Sequence, residues 1–190
     1  LQWCYAQSQF PYANPDGSPN YQFPMPDNGE AVQFWQQVAA RYKDDHRVLF
    51  DIYGEPDSVT WQTWYAGGNI TTTNGTYQAI GMRALVDVVR RVAPDNVIIV
   101  NGLDWGYDLS EVGSTYRFPE KNLLFGTHPF DHGDKQPSDF DRAFGTAATR
   151  VAVIATEFGA YDCTTGYITS AIAYFNAHHI SWLAWAWVPY

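Results

Sequence analysis

Two short apolar runs in this chain each end in a glutamate followed by turn residues. The first is Val48-Leu49-Phe50-Asp51-Ile52-Tyr53-Gly54-Glu55-Pro56, and the second is Val151-Ala152-Val153-Ile154-Ala155-Thr156-Glu157-Phe158-Gly159. A strand that is apolar along its whole length buries both faces, as in a parallel sheet wrapped by helices. In such folds the C-terminal strand ends and the loops after them form the mouth where ligands meet chemistry. A glutamate at an arbitrary strand end is usually a solvated acid. Two in matching contexts can divide a reaction: one carboxylate attacks a sugar carbon while the other, kept protonated, gives its proton to the leaving oxygen.

The rest of the chain repeats the pattern of helix then strand. Residues 4–28 are rich in Pro, Asn, Gln, Ser and Tyr and read as a long loop. A loop of that length inside a compact domain is usually functional. Helices are expected at 29–43, capped by Asp27 or Asn28, and at 75–92, ended by Pro94. Further helices are expected at 138–148 and 165–178, with a weak helical segment near 107–113. Strands are expected at 47–53, 97–101, 123–127, 150–156 and 181–188. The fold class is therefore α/β, as one domain over 1–190. With five strands and no room for three more, the expected form is a reduced (β/α) TIM-like barrel with three to four helices. A full eight-stranded barrel takes about 250 residues. Direct pairing of the first strand with the last is the expected closure; a plug by residues 1–28 and a homodimer are the alternatives. Leu1-Gln2-Trp3 reads like the tail of a strand, as if the chain were cut from something longer.

A formal net charge of −9 argues against nucleic acid or an anionic membrane surface as partner, since both need a basic footprint. No stretch reaches membrane-spanning length, and the first residues lack the basic start of a signal peptide. Cys4 and Cys163 are too few for a disulfide framework, and no Cys/His spacing matches a zinc site, so no metal or cofactor is expected. The 8 Trp, 13 Tyr and 11 Phe stand out, and many of them must fill the core. Trp3, Tyr5, Trp61, Trp64, Tyr65, Trp105, Tyr107, Tyr161 and Tyr190 fall in or beside expected loops, where flat rings can stack on sugar C–H faces.

The strand ends collect the remaining candidates. Asn101 is followed by Asp104 and Trp105, and Thr127-His128-Pro129-Phe130 ends the third strand. Trp182, Trp185 and Trp187 lie on the fifth, where alternation puts Trp185 and Trp187 on one face and Trp182 on the other. Two Glu, one His and one Trp at a mouth suit acid/base and nucleophilic work on a sugar. No Gly-rich phosphate loop is present.

At these residues the chain resembles family 5 of the glycoside hydrolases, the cellulase family. The run 48–56 resembles that family's fourth strand. Val97-Ile98-Ile99-Val100-Asn101-Gly102-Leu103-Asp104-Trp105, Phe125-Gly126-Thr127-His128-Pro129 and Ala155-Thr156-Glu157-Phe158-Gly159 resemble the fifth, sixth and seventh. Ser181-Trp182-Leu183-Ala184-Trp185-Ala186-Trp187 resembles the eighth, and 34–43 the third helix. The resemblance implies a shortened form lacking the first two to three barrel strands. It implies a secreted, retaining endo-β-glucanase acting on β-1,4 or β-1,3 bonds, with Glu55 as acid/base and Glu157 as nucleophile. A β-mannanase and a catalytically impaired β-glucan-binding remnant are the alternatives. The resemblance gives His128 a supporting role and Trp185 that of sugar platform, and it puts Trp105, Phe130, Gln2 and Trp3 at the substrate. Four positions depart from the family. Gly54 replaces an Asn that bonds the sugar 2-hydroxyl, Phe130 replaces a Tyr, Gln2 replaces a His, and the second-strand Arg has no counterpart.

Overall fold

A computed structural model describes residues 12–13, 19–20, 23–72, 75–162 and 164–186. The candidates Gln2, Trp3, Cys4, Tyr5, Cys163, Trp187 and Tyr190 lie outside the described residues. The elements in chain order are β1 (Tyr12–Ala13), β2 (Pro19–Asn20), α1 (Glu30–Tyr42), β3 (Phe50–Asp51) and α2 (Trp61–Ala66). There follow β4 (Gly67–Thr72), β5 (Gly75–Ile80), α3 (Met82–Val92), β6 (Ile98–Asn101) and β7 (Leu123–Thr127). A 3-10 turn (Pro137–Asp139) and a π-helical turn (Asp141–Gly145) run into α4 (Thr146–Ala148), then β8 (Val153–Ala155), α5 (Gly166–Ala177) and β9 (Ser181–Trp182).

Five of these strands form one parallel sheet in the order β3-β6-β7-β8-β9, which is chain order, with helical segments between successive strands except β6 and β7, which turns and isolated bridges join. This is the expected reduced (β/α) barrel architecture. Its strands are buried as their sequences require: every residue of Ile98–Asn101 and Val153–Ala155 is inaccessible or nearly so. The helices supply the cover. In α1 the carboxylate of Asp27 accepts from the free N–H groups of Gly29 at 2.7 Å and Glu30 at 2.6 Å, which is the expected cap. The helix buries Ala31, Trp35 and Ala39, one residue per turn, and the Trp35 indole donates to Ile52 O at 2.9 Å. The α3 helix buries Met82, Leu85, Val86 and Val89. At about 1.5–3 kcal/mol per fully buried large aliphatic, that face outweighs the propensity cost of its β-branched residues.

Among the described residues the expected direct closure is not seen: β3 pairs with β6 and β9 with β8, and the two do not pair with each other. Val48 and Leu49 on one side and Leu183 and Trp185 on the other line a common cavity of about 590 Å³ where pairing would have brought them together. Closure requires tilt and stagger to agree around the ring. The first and last described strands of this sheet hold two residues each, too few backbone groups to impose that agreement.

Other expectations shift at their boundaries. Residues 75–80 are a strand, not the start of a helix. Gly75–Ile80 pairs with Gly67–Thr72 in a hairpin, with the hydroxyls of Thr71 and Thr76 2.9 Å apart across it. The β-branched run at 70–73 and the Asn74-Gly75 dipeptide carry that signal in the sequence. Trp61–Ala66 is helical, started by the Thr60 hydroxyl accepting from Thr63 N. The segment near 107–113 is built of turns and isolated bridges, and the long loop contains the short β1–β2 pair.

Candidate active site

The β3 strand runs out through Ile52 and Tyr53, both fully buried, and the chain turns at Gly54-Glu55, with Glu55 at φ 57°. A left-handed glutamate costs energy that its surroundings must offset. The turn aims its carboxylate across the sheet. Glu157 follows the end of β8, and His128 follows β7. One donor atom each of Glu55, His128 and Glu157 lies within 4.8 Å of the others. The three strand ends singled out in the sequence therefore meet. A trio of this chemistry would also suit a divalent cation, but only a proton-handling role uses the contacts described next.

The His128 side chain is fully buried, with Nδ1 3.3 Å from Glu55 Oε1 and Nε2 2.8 Å from the Thr156 hydroxyl. Thr156 Oγ1 in turn lies 3.3 Å from Asn101 Oδ1, to which it donates. The Asn101 amide donates to Asp51 Oδ1 at 2.7 Å and to Tyr53 O at 3.0 Å. Gly126 on β7 makes room for this side chain: a Cβ there would stand 1.7 Å from Asn101 Oδ1. Asp51 is 6% exposed, and its pKa is pushed up to about 7, chiefly by desolvation; the charge of Glu157 adds to the rise, and His128 opposes it. Burial likewise raises Asp57, against the hydroxyl of Ser58, with the Glu55 charge adding to the rise.

Glu55 opens onto a cleft of about 430 Å³ lined by Trp105, Phe130 and Tyr161 among others. The Trp105 wall is a turn in which Asp104, Trp105 and Gly106 all have positive φ (56°, 60° and 76°). Trp105 N–H donates to Pro56 O at 3.1 Å, and Gly106 O accepts from His128 N–H at 3.2 Å. Lys135, 9% exposed, donates to Asp104 O at 2.7 Å, lies 3.3 Å from its carboxylate and sits 5.0 Å from the Tyr107 ring. Glu157 faces the other way, into the cavity of about 590 Å³ that it shares with Asp51, Thr156, Leu183 and Trp185.

Of the sequence candidates, Glu55, Glu157, His128, Trp105, Phe130 and Trp185 come together around the carboxylate pair. Trp185 is 58% exposed and lines the cavity beside Glu157, and Trp182 stands edge-on to Phe158 at 5.5 Å beside α5; β9 ends at Trp182, so the expected alternation does not extend to Trp185. Several loop aromatics expected at the sugar are core instead. Trp64 is fully buried and donates to Asn101 O, Tyr107 is 2% exposed, and Trp61 stacks on Tyr116. Sequence reasoning missed Asp51, Thr156 and Lys135. The signal for Asp51 was its place two and four residues before Tyr53 and Glu55, a lone acid in an apolar strand.

This site lies at the C-terminal ends of parallel strands, where α/β barrel hydrolases carry their chemistry. The chain belongs to the cellulases: the sequence model "Cellulase (glycosyl hydrolase family 5)" matches residues 13–190. Among curated relatives it is 27% identical to Endoglucanase Z of Dickeya dadantii over 68% of this chain and 27% of that protein. It is also 27% identical to Endoglucanase CelA of Streptomyces lividans, over 84% and 32%. The chain thus spans about a third of the length of the curated relatives it matches. In fold it is similar to a beta-glucanase from Saccharophagus degradans solved in complex with cellotetraose, with TM-score 0.68, 20% identity and coverage of 94% of this chain and 55% of that one. The major endoglucanase of Xanthomonas campestris pv. campestris gives TM-score 0.68 at 21% identity, over 90% and 59%.

Proposed function

We propose that this chain is an O-glycosyl hydrolase that cleaves β-glucan internally and with retention. Glu157 attacks the anomeric carbon while Glu55 protonates the departing glycosidic oxygen. Glu55, then a carboxylate, takes a proton from the water that releases the glycosyl group from Glu157. The observation that carries this reading is the approach of the two carboxylates, whose oxygens come within 4.8 Å. Retaining enzymes hold their carboxyl groups about 5–5.5 Å apart, and inverting ones leave room for a water between. Trp105 and Trp185 are the sugar-stacking rings on the two sides of the pair, with Phe130 beside the first.

A glucan substrate is supported by the endoglucanase names of the relatives and by the cellotetraose complex of a structural neighbour. The linkage is read as β-1,4 or β-1,3. A polymer of this kind cannot enter a cell intact, so the reading places the chain's work outside it. The test is reducing-sugar release from a panel of β-1,4-glucan, β-1,3-glucan, mannan and xylan. Release from a glucan supports the proposal. Release from mannan alone makes the chain a mannanase of the same family. Binding without release makes it a glucan-binding module.

A further inference from the structure

We infer that Asn101 and Thr156 are positioning residues that hold the His128 ring with its proton on Nε2, leaving Nδ1 bare to accept the acidic proton of Glu55. The argument is a count of hydrogens along one chain of contacts. Both neighbours of the Asn101 amide nitrogen, Asp51 Oδ1 and Tyr53 O, are acceptors, so the amide orientation is fixed with Nδ2 toward them and Oδ1 toward Thr156. An amide oxygen cannot donate, so Thr156 must give its single hydroxyl hydrogen to Oδ1 at 3.3 Å. The same hydroxyl also lies 2.8 Å from His128 Nε2. Its hydrogen is spent, so that contact is satisfied only if Nε2–H donates to Thr156 Oγ1. A neutral imidazole protonated at Nε2 carries a lone pair on Nδ1. That lone pair lies 3.3 Å from Glu55 Oε1, where it repels a carboxylate and welcomes a carboxylic acid.

The consequence is a site wired to keep Glu55 in the form an acid catalyst needs. It rests on the proposed function only for the meaning of that proton. Asp51 anchors the far end of the chain, and its 6% exposure keeps the network out of bulk water. The other charged groups around Glu55 are Glu157 from the end of β8 and Asp57 and Asp104 from the loops after β3 and β6. Lys135, bonded to Asp104, with His132 and Asp134 completes the cleft. Of these contacts, the one to His128 is the one whose donor and acceptor roles a single hydroxyl decides.

The direct test is the nitrogen-15 spectrum of the histidines in the whole chain, with His128 assigned by its loss in His128→Gln. The expected result at neutral pH is a pyridine-like Nδ1 and a pyrrole-like Nε2. A pyrrole-like Nδ1, or protons on both nitrogens, overturns the inference. The second arm is the pH profile of kcat/KM on a soluble β-glucan. Thr156→Val frees the ring to put its proton on Nδ1 and stabilise the Glu55 carboxylate, so the alkaline limb should move down by about one pH unit. Thr156→Ser, which keeps the hydroxyl, should leave the limb in place. An unmoved limb in the valine variant, or an equal shift in both, contradicts the positioning role. Absence of hydrolysis by the wild type would count against the proposed function alone, because the nitrogen shifts decide the tautomer without it.

Discussion

The two sides of the carboxylate pair are built differently. On the Glu55 side, the Trp105 turn is tied from three directions: by Pro56 from the loop after β3, by His128 at the end of β7, and by Lys135 from the loop beyond. Its positive-φ residues are held against their own preference, and the wall is rigid because each tie comes from a different element. On the Glu157 side, Trp185 N–H donates to Phe158 O, Leu183 N–H donates to Ala155 O, and beyond β9 no further strand pairs among the described residues. Leu183 is 57% exposed and Trp185 58% exposed. One side is a wall tied from several elements, and the other carries exposed side chains beyond the last described strand pairing. The same carboxylate pair thus has Glu55 in a tied setting and Glu157 beside exposed rings.

Mutations on the two sides should therefore fail in different ways. The largest effect belongs to the shared centre. Glu157→Gln should lower β-glucan hydrolysis by about a thousandfold or more with the fold kept, because the amide fills the same space and cannot attack. Glu55→Gln should match it on glucan but lose far less on aryl glycosides with good leaving groups, which hardly need the proton. Steady-state rates on both substrate types check this pair. On the open side, Trp185→Ala should cut kcat/KM on oligosaccharides by about ten- to a hundredfold without lowering the thermal midpoint, since the exposed ring supports little packing. Trp182→Ala should do the reverse, costing stability through the Phe158 contact and little binding. If Trp182→Ala abolished binding with stability unchanged, the sides of β9 would be misassigned.

On the closed side, Lys135→Met should raise KM by about tenfold with kcat within about twofold, as expected when a binding wall loosens and the reacting groups stay put. Equal KM for variant and wild type would show that the Trp105 turn holds itself. The last effect concerns Asp51 and is read in stability, not in turnover. Its folded pKa of about 7 exceeds the ordinary carboxylate value, so the folded chain binds this proton more tightly than the unfolded one. The associated stability is present below about pH 4 and is lost as pH rises through about 7, with a ceiling of about 4 kcal/mol. Asp51→Asn should flatten that fall in denaturant titrations at pH 5 and pH 9. A parallel decline in variant and wild type would place the titration elsewhere.

The asymmetry also marks what the sequence could reveal. Apolar runs ending in Glu55, His128 and Glu157 announce a parallel sheet and its mouth, because burial on both faces leaves unbroken apolar runs bounded by turn residues. The hairpin at 67–80 was legible in its Thr run and Asn-Gly dipeptide, yet the following amphipathic stretch at 82–92 drew the helix forward over it. How the first and last described strands sit relative to each other was not legible, since it depends on tilt and stagger, which no local pattern encodes. Trp64 and Tyr107 were indistinguishable from Trp105 by type and loop position. Only packing separates a core ring from a sugar platform. The Thr156–Asn101 relay was hidden for the same reason: its members lie 55 residues apart, and a single sequence carries no trace of their contact.

Double displacement by Glu55 and Glu157 is the central proposal. The anomeric form of the first product tests it most directly. Proton NMR of a β-glucan oligosaccharide, followed from the first minutes of hydrolysis, should show the β-anomer appearing first and the α-anomer growing only at the rate of mutarotation. An α-anomer in the earliest spectra would mean that a water, and not Glu157, attacks the sugar.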